Sequence, residues 1–184
     1  MNVLFVGDVV GAPGRRALVE ALHGVIDRHR VDFTIVNIEN AAGGFGLTVE
    51  LFEDLSKLPI DVFSSGNHIW DKKEIYDALN ASDRLLRPAN YPPGNPGRGW
   101  TVQKTAAGVP VGVLNLQGQV FMPAHADSPF RVADEELAVR RGMMAFLLGG
   151  GVRLQPTGGL GGPWTEDPGQ PRSGSATVSR KRLS

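Results

Sequence analysis

Four short apolar runs, each ending in polar residues and separated by helical patterns, constrain this chain more than anything else in it. They are Val3–Val6, Phe33–Ile38, the run that closes at Val62–Ser65 behind the breaker Pro59, and Val109–Leu116. Runs this short and this apolar suit strands buried on both sides. Between them the period changes. Leu18, Ala21, Leu22, Val25 and Ile26 follow helical spacing, with Pro13 and Gly14 near the start. Val49–Leu58 is helical in pattern with Thr48 as its N-cap, and Asp71–Leu79 and Pro129–Arg140 are two further helical patterns. Strands alternating with helices predict an α/β fold built on a parallel sheet covered on both faces.

Size and composition narrow the function. The chain has 184 residues, enough for one domain with a real core, and 41% of them are hydrophobic. Its 19 basic and 19 acidic residues balance, so charge gives no sign of a DNA-binding surface. There is no cysteine, which excludes disulfides and thiolate metal sites and leaves Asp, Glu, Asn and His as metal ligands. No apolar run approaches the roughly 20 residues that span a bilayer. The opening MNVLFVGD lacks the basic and long apolar regions of a signal peptide. The expectation is a cytoplasmic protein with no membrane association.

The composition shifts near Arg141. Residues 142–184 contain 10 Gly and 4 Pro, with no sustained helix or strand period. Such segments bury too little apolar surface to offset the entropy of ordering. The chain is therefore divided into an α/β domain at 1–141 and a Gly/Pro-rich, mostly disordered tail at 142–184, with one short strand or helix near Met143–Leu148.

Polar residues follow every predicted strand. Asp8 comes after the first, Glu39 and Asn40 after the second, Asn67 and His68 after the third, and Asn115 and Gln117 close the fourth. In a parallel sheet these ends meet at one edge, where α/β folds bind their ligands. Each residue alone reads as an ordinary turn residue. Together, Asp8, Glu39, Asn40, Asn67 and His68 make a set of oxygen and nitrogen donors suited to Mg, Mn, Fe or Zn. The first loop, GDVVGAPGRR, has neither the dinucleotide spacing nor a P-loop Lys-Ser/Thr, and no Gly-x-Ser-x-Gly elbow occurs.

Five separated motifs carry a family resemblance: GDVVGAPGR, NIENAAGGFGLT, GNHIWDKKEI, RPANYPPGNPGRG and NLQGQVFM. Over about residues 1–135 the chain resembles the small bacterial branch of the calcineurin-like metallophosphoesterases, which includes 2′,3′-cyclic-nucleotide phosphodiesterases. The resemblance implies a layered α/β sandwich with helices around two packed sheets, here its N-terminal part, and a two-metal site at the strand ends. It implies that Asp8 and Asn40 contact one divalent cation, that Asn67 binds the other, that Glu39 bridges them, and that His68 is the general acid. Paired cations of this kind hold a phosphate and acidify a bound water. An imidazole exchanges protons near neutral pH, which suits a general acid for a departing alkoxide.

The pattern breaks after this region. The family continues with a strand ending in a histidine motif and then Gly-Thr-His-Thr-His, whereas the four histidines here are His23, His29, His68 and His125. His23 and His29 read as surface or packing residues, and His125 matches no metal motif. The expectation is a chain truncated or frameshifted after about residues 135–141. Its tail then reads as out-of-frame translation of a GC-rich gene, or else as a genuine short variant. Missing strands would leave an apolar face and edge exposed, so poor solubility is expected and homo-oligomer formation stays open. The first functional reading is an impaired metal-dependent phosphodiesterase acting on a small phosphodiester or cyclic nucleotide. The second is a non-catalytic phosphate- or nucleotide-binding regulator. A structural domain without a ligand is disfavoured by the strand-end set.

Overall fold

The computed structural model describes residues 1–120, 122 and 126–139, together with strands at 145–150, 154–156 and 164–166. Three parallel strands form the first sheet: β1 (Val3–Val6), β2 (Phe33–Asn37) and β3 (Val62–Ser64), in that spatial order. The second sheet is β4 (Trp100–Lys104), β5 (Pro110–Gln117) and β6 (Ala145–Gly150). There β5 pairs antiparallel with β4 and parallel with β6. A separate antiparallel pair joins β7 (Leu154–Pro156) to β8 (Trp164–Glu166).

Side-chain alternation distributes the core into layers. Helices α1 (Gly11–His29), α2 (Val49–Leu55) and α3 (Tyr76–Ala81) cover one face of the first sheet. Leu18, Leu22, Leu55 and Leu79 pack there on Leu4, Val36, Ile38 and Phe63. The opposite face uses the alternate positions. Phe33, Ile35 and Val62 pack on Val111 and Val113 of β5, with Leu86 between. Leu114 and Leu116, on the far side of β5, pack under Val132 and Ala133 of α4 (Pro129–Val139). The order is helices, sheet, sheet, helix: the α/β sandwich of two packed sheets that the family resemblance implied. Each fully buried aliphatic side chain here contributes about 1.5–3 kcal/mol of transfer free energy.

Several sequence expectations are corrected. The parallel sheet is covered by helices on one face only, because the second face meets another sheet. The run Val109–Leu116 is a strand of that second sheet, and β4 before it was not expected. The helix expected over Val49–Leu58 ends at Leu55, since Lys57 and Leu58 close tighter three-residue turns on Asp54 and Leu55 ahead of Pro59. Thr48 is its N-cap as expected, accepting from Leu51 N at 3.2 Å. In place of one helix at Asp71–Leu79 there are 3-10 turns at Asn67–Trp70 and Lys73–Ile75, then α3. Side-chain bonds direct the backbone here: Tyr76 Oη donates to Trp70 O at 3.1 Å, and Trp70 Nε1 to Pro96 O at 3.2 Å. The short element expected near Met143–Leu148 is the strand β6. His125 and most of the Gly/Pro-rich segment lie outside the described residues. Among the described residues, no helix is long and apolar enough to cross a membrane.

Candidate metal centre

Backbone bonds between loops assemble the strand ends. Val9 N donates to Asn37 O at 3.0 Å and Gly11 N to Asn40 O at 2.9 Å, which ties the loop after β1 to the loop after β2. Ile38 N donates to Ser64 O at 3.1 Å, which ties β2 to the end of β3. The second sheet joins through Asn115, buried, whose Nδ2 donates to Ser65 O at 2.7 Å and reaches Leu86 O at 3.3 Å.

These ties bring the sequence-predicted residues together. Asn40 Nδ2 donates to Asp8 Oδ2 at 2.8 Å. Glu39 N donates to Asn37 Oδ1 at 3.2 Å, and the Glu39 carboxylate reaches across to accept from His68 N at 3.1 Å through Oε2. Gly66 stands directly against that carboxylate: a Cβ there would lie 2.5 Å from both Glu39 oxygens. With any side chain at this position the Glu39 carboxylate would have to shift from where it stands, so the glycine ahead of Asn67 and His68 lets the carboxylate lie against the backbone. Asn67 opens the 3-10 turn that follows, so the turn that carries both residues is keyed to Glu39.

Two electrostatic features bear on whether the centre could hold a cation. Burial raises the pKa of Glu39; the backbone N–H of His68 opposes the rise, while Asp8 adds to it. A buried carboxylate beside another carboxylate calls for positive charge. Asn40 Oδ1 is buried and accepts no hydrogen bond, while the amide's nitrogen is already bonded to Asp8. An unpartnered buried acceptor next to two carboxylates fits a hard cation, which takes oxygen donors. The fit covers part of a coordination shell: among the described residues, no three His, Asp or Glu side chains converge closely enough to hold a metal by themselves.

His68 is held differently from the oxygen donors. Its Nδ1 lies 2.8 Å from Asp71 Oδ2, and the edge of Phe45 packs on the ring with centroids 5.1 Å apart. Phe45 is itself 63% exposed, in a tight loop between Gly44 and Gly46, both at positive φ. Neither Asp71 nor Phe45 was singled out from the sequence. The His68–Asp71 spacing of three was the available signal, because such positions eclipse in a 3-10 turn.

A family profile described as YmdB-like protein matches residues 4–147. The chain belongs to the YmdB-like protein family. Within that family, it is 46% identical over 138 residues to a Bacillus subtilis protein named 2′,3′-cyclic-nucleotide 2′-phosphodiesterase, covering 75% of this chain and 52% of the relative. It is 31% identical over 147 residues to a Mycoplasma pneumoniae protein named putative phosphatase/phosphodiesterase, covering 77% and 51%. This YmdB-like chain thus spans about half the length of the curated relatives it matches. Among solved structures, a hypothetical protein from Thermus thermophilus superposes with a TM-score of 0.69 at 39% identity, covering 82% of this chain and 58% of that one. A protein described as a novel phosphatase from Mycoplasma pneumoniae superposes with a TM-score of 0.71 at 26% identity, covering 82% and 56%.

Proposed function

We propose that this YmdB-like chain carries the strand-end portion of a two-metal phosphodiesterase site, with small phosphodiesters of the 2′,3′-cyclic-nucleotide class as substrates. The buried, unpartnered Oδ1 of Asn40 beside Asp8 and Glu39 carries the reading, because a turn residue would have no reason to leave that acceptor unmade. The name of the Bacillus subtilis relative supports the substrate class.

Asp8, Glu39, Asn40 and Asn67 would hold the divalent cations, of Fe, Mn, Zn or Mg. Bound cations of this kind supply Lewis-acid polarisation of the phosphoryl oxygens and an acidified water. The protein's own part is positional. Glu39, fixed by His68 N, places its negative charge where the loops after β1, β2 and β3 meet. Asp71 occupies Nδ1 of His68, so Nε2 is the nitrogen that exchanges a proton with the substrate's leaving oxygen. Phe45 shields one side of the imidazole from water.

Among the described residues, two carboxylates and two amides are a weak donor set for two cations, so slow turnover is expected of this chain by itself. The test is titration of the chain with Mn²⁺ alongside hydrolysis of 2′,3′-cyclic AMP. Cation binding that Glu39→Gln weakens at least tenfold, with slow turnover, supports the reading. Cation binding without turnover would favour a phosphate- or nucleotide-binding regulator, the reading favoured by the lack of a three-ligand cluster among the described residues. Absence of both would overturn the metal site.

A further inference from the structure

We propose that the groove lined by Trp70, Tyr76, Tyr91, Pro92, Asn95 and Pro96 is a nucleobase subsite, holding the base of a nucleoside phosphate whose phosphate lies at Asp8, Glu39 and Asn40. The proposal deepens the phosphodiesterase reading and rests on it for the phosphate end alone.

The groove is an open depression of about 340 Å³, walled by aromatic rings and prolines with Asn95 among them. That volume falls at the small end of the roughly 300–1,000 Å³ of small-molecule sites, suited to one flat heterocycle. Its rings are fixed in advance. Trp70 and Tyr91 lie 4.7 Å apart between centroids at 52°. Trp70 is anchored at both ends, by its Nε1 on Pro96 O and by the Tyr76 hydroxyl on its carbonyl. Rings already held in place lose little freedom when a base stacks on them.

Tyr91 connects this groove to the metal centre. Its ring is in the groove, and burial raises the pKa of its phenol, with the charge of Glu39 adding to the rise. On the other side, Trp70 belongs to the same turn as Asn67 and His68. Beside Tyr91 stands Gln117, at the end of β5 and only 4% exposed. The Tyr91 hydroxyl approaches the Gln117 amide without meeting hydrogen-bond geometry, and neither amide atom has a partner. A buried amide with both donor and acceptor idle is costly unless a ligand completes it. A ribose hydroxyl, which donates and accepts, does so. The order of groups is then aromatic groove for the base, Tyr91 and Gln117 for the sugar, and the carboxylate centre for the phosphate.

The test compares ligands on the unaltered chain in the presence of Mn²⁺, so it does not depend on any variant folding. Base stacking contributes about 1–3 kcal/mol, so adenosine 5′-monophosphate should bind roughly 5- to 150-fold more tightly than ribose 5-phosphate. Tyr91→Ala should erase that preference and weaken ribose 5-phosphate by a smaller factor, through the lost sugar contact, and Tyr91→Phe, which keeps the ring, should retain most of the preference. Equal affinity for the two ligands in the unaltered chain would overturn the groove and leave the phosphodiesterase reading standing. Binding of free adenosine that Tyr91→Ala abolishes, with no binding of ribose 5-phosphate, would support the groove and sink the phosphate site. Failure of all three ligands to bind would overturn both.

Discussion

Nδ1 of His68 lies 2.8 Å from Oδ2 of Asp71, one 3-10 turn further along the chain. The carboxylate orients the ring and leaves Nε2 available to a proton or to a cation, and the function proposed above gives it the proton. His68→Ala is therefore expected to lower kcat by roughly 10²–10⁴-fold while Mn²⁺ affinity stays within a factor of two or so. Asp71→Ala should give a smaller loss of the same kind. Steady-state kinetics with parallel calorimetric titration separate the two effects. Loss of cation binding on His68→Ala would make the imidazole a ligand.

Gly66→Ala tests the packing of the centre. A methyl 2.5 Å from both Glu39 oxygens forces the carboxylate out of its place on His68 N. Overpacking of this kind costs about 1–3 kcal/mol of stability. The expected result is a folded but less stable chain, shown by urea denaturation, whose Mn²⁺ affinity falls by at least as much as in Glu39→Gln. Unchanged cation binding would remove Glu39 from the site.

Cation binding should also appear as stability. A ligand that binds only the folded chain stabilises it by RT ln(1 + [L]/Kd), about 2.7 kcal/mol at a hundred times Kd. Thermal unfolding followed by circular dichroism should shift upward with Mn²⁺ and return on adding EDTA. The shift should vanish in Asn40→Ala together with Glu39→Gln. A shift that survives in the double variant would place the cation elsewhere.

Asp61 gives a pH dependence away from the metal centre. Burial raises its pKa above the ordinary 3.8, against the pull of Thr34 N–H and of Arg84. For an acid raised on folding, the favourable contribution is full below the unfolded value and is lost as pH rises through the folded one. At neutral pH the ionised Asp61 therefore costs stability. Asp61→Asn keeps an acceptor for Thr34 N, now 2.7 Å from Asp61 Oδ2. The variant should be at least as stable as the parent at pH 7 and lose part of the parent's stability slope above about pH 4. Identical urea midpoints for both chains across that range would contradict this.

The sequence by itself determined the three strands of the first sheet and the residues at their ends. Continuous apolar runs have few ways to be buried except as strands, and Val3–Val6, Phe33–Asn37 and Val62–Ser64 are strands of one parallel sheet. Polar residues that close such runs must lie at the sheet's edge, so Asp8, Glu39 and His68 could be placed together from order alone. What the sequence left undecided depends on contacts between segments distant along the chain. That the second face of the sheet meets β5 and not a helix follows from Phe33, Ile35 and Val62 matching Val111 and Val113 across nearly fifty residues or more, and no local period encodes that pairing. That a side chain at Gly66 would displace the Glu39 carboxylate follows from Glu39 being brought against it by the β2–β3 register. The idle amide of Gln117 beside Tyr91 is a third case: a buried group without a partner exists only once the surrounding fold has excluded water.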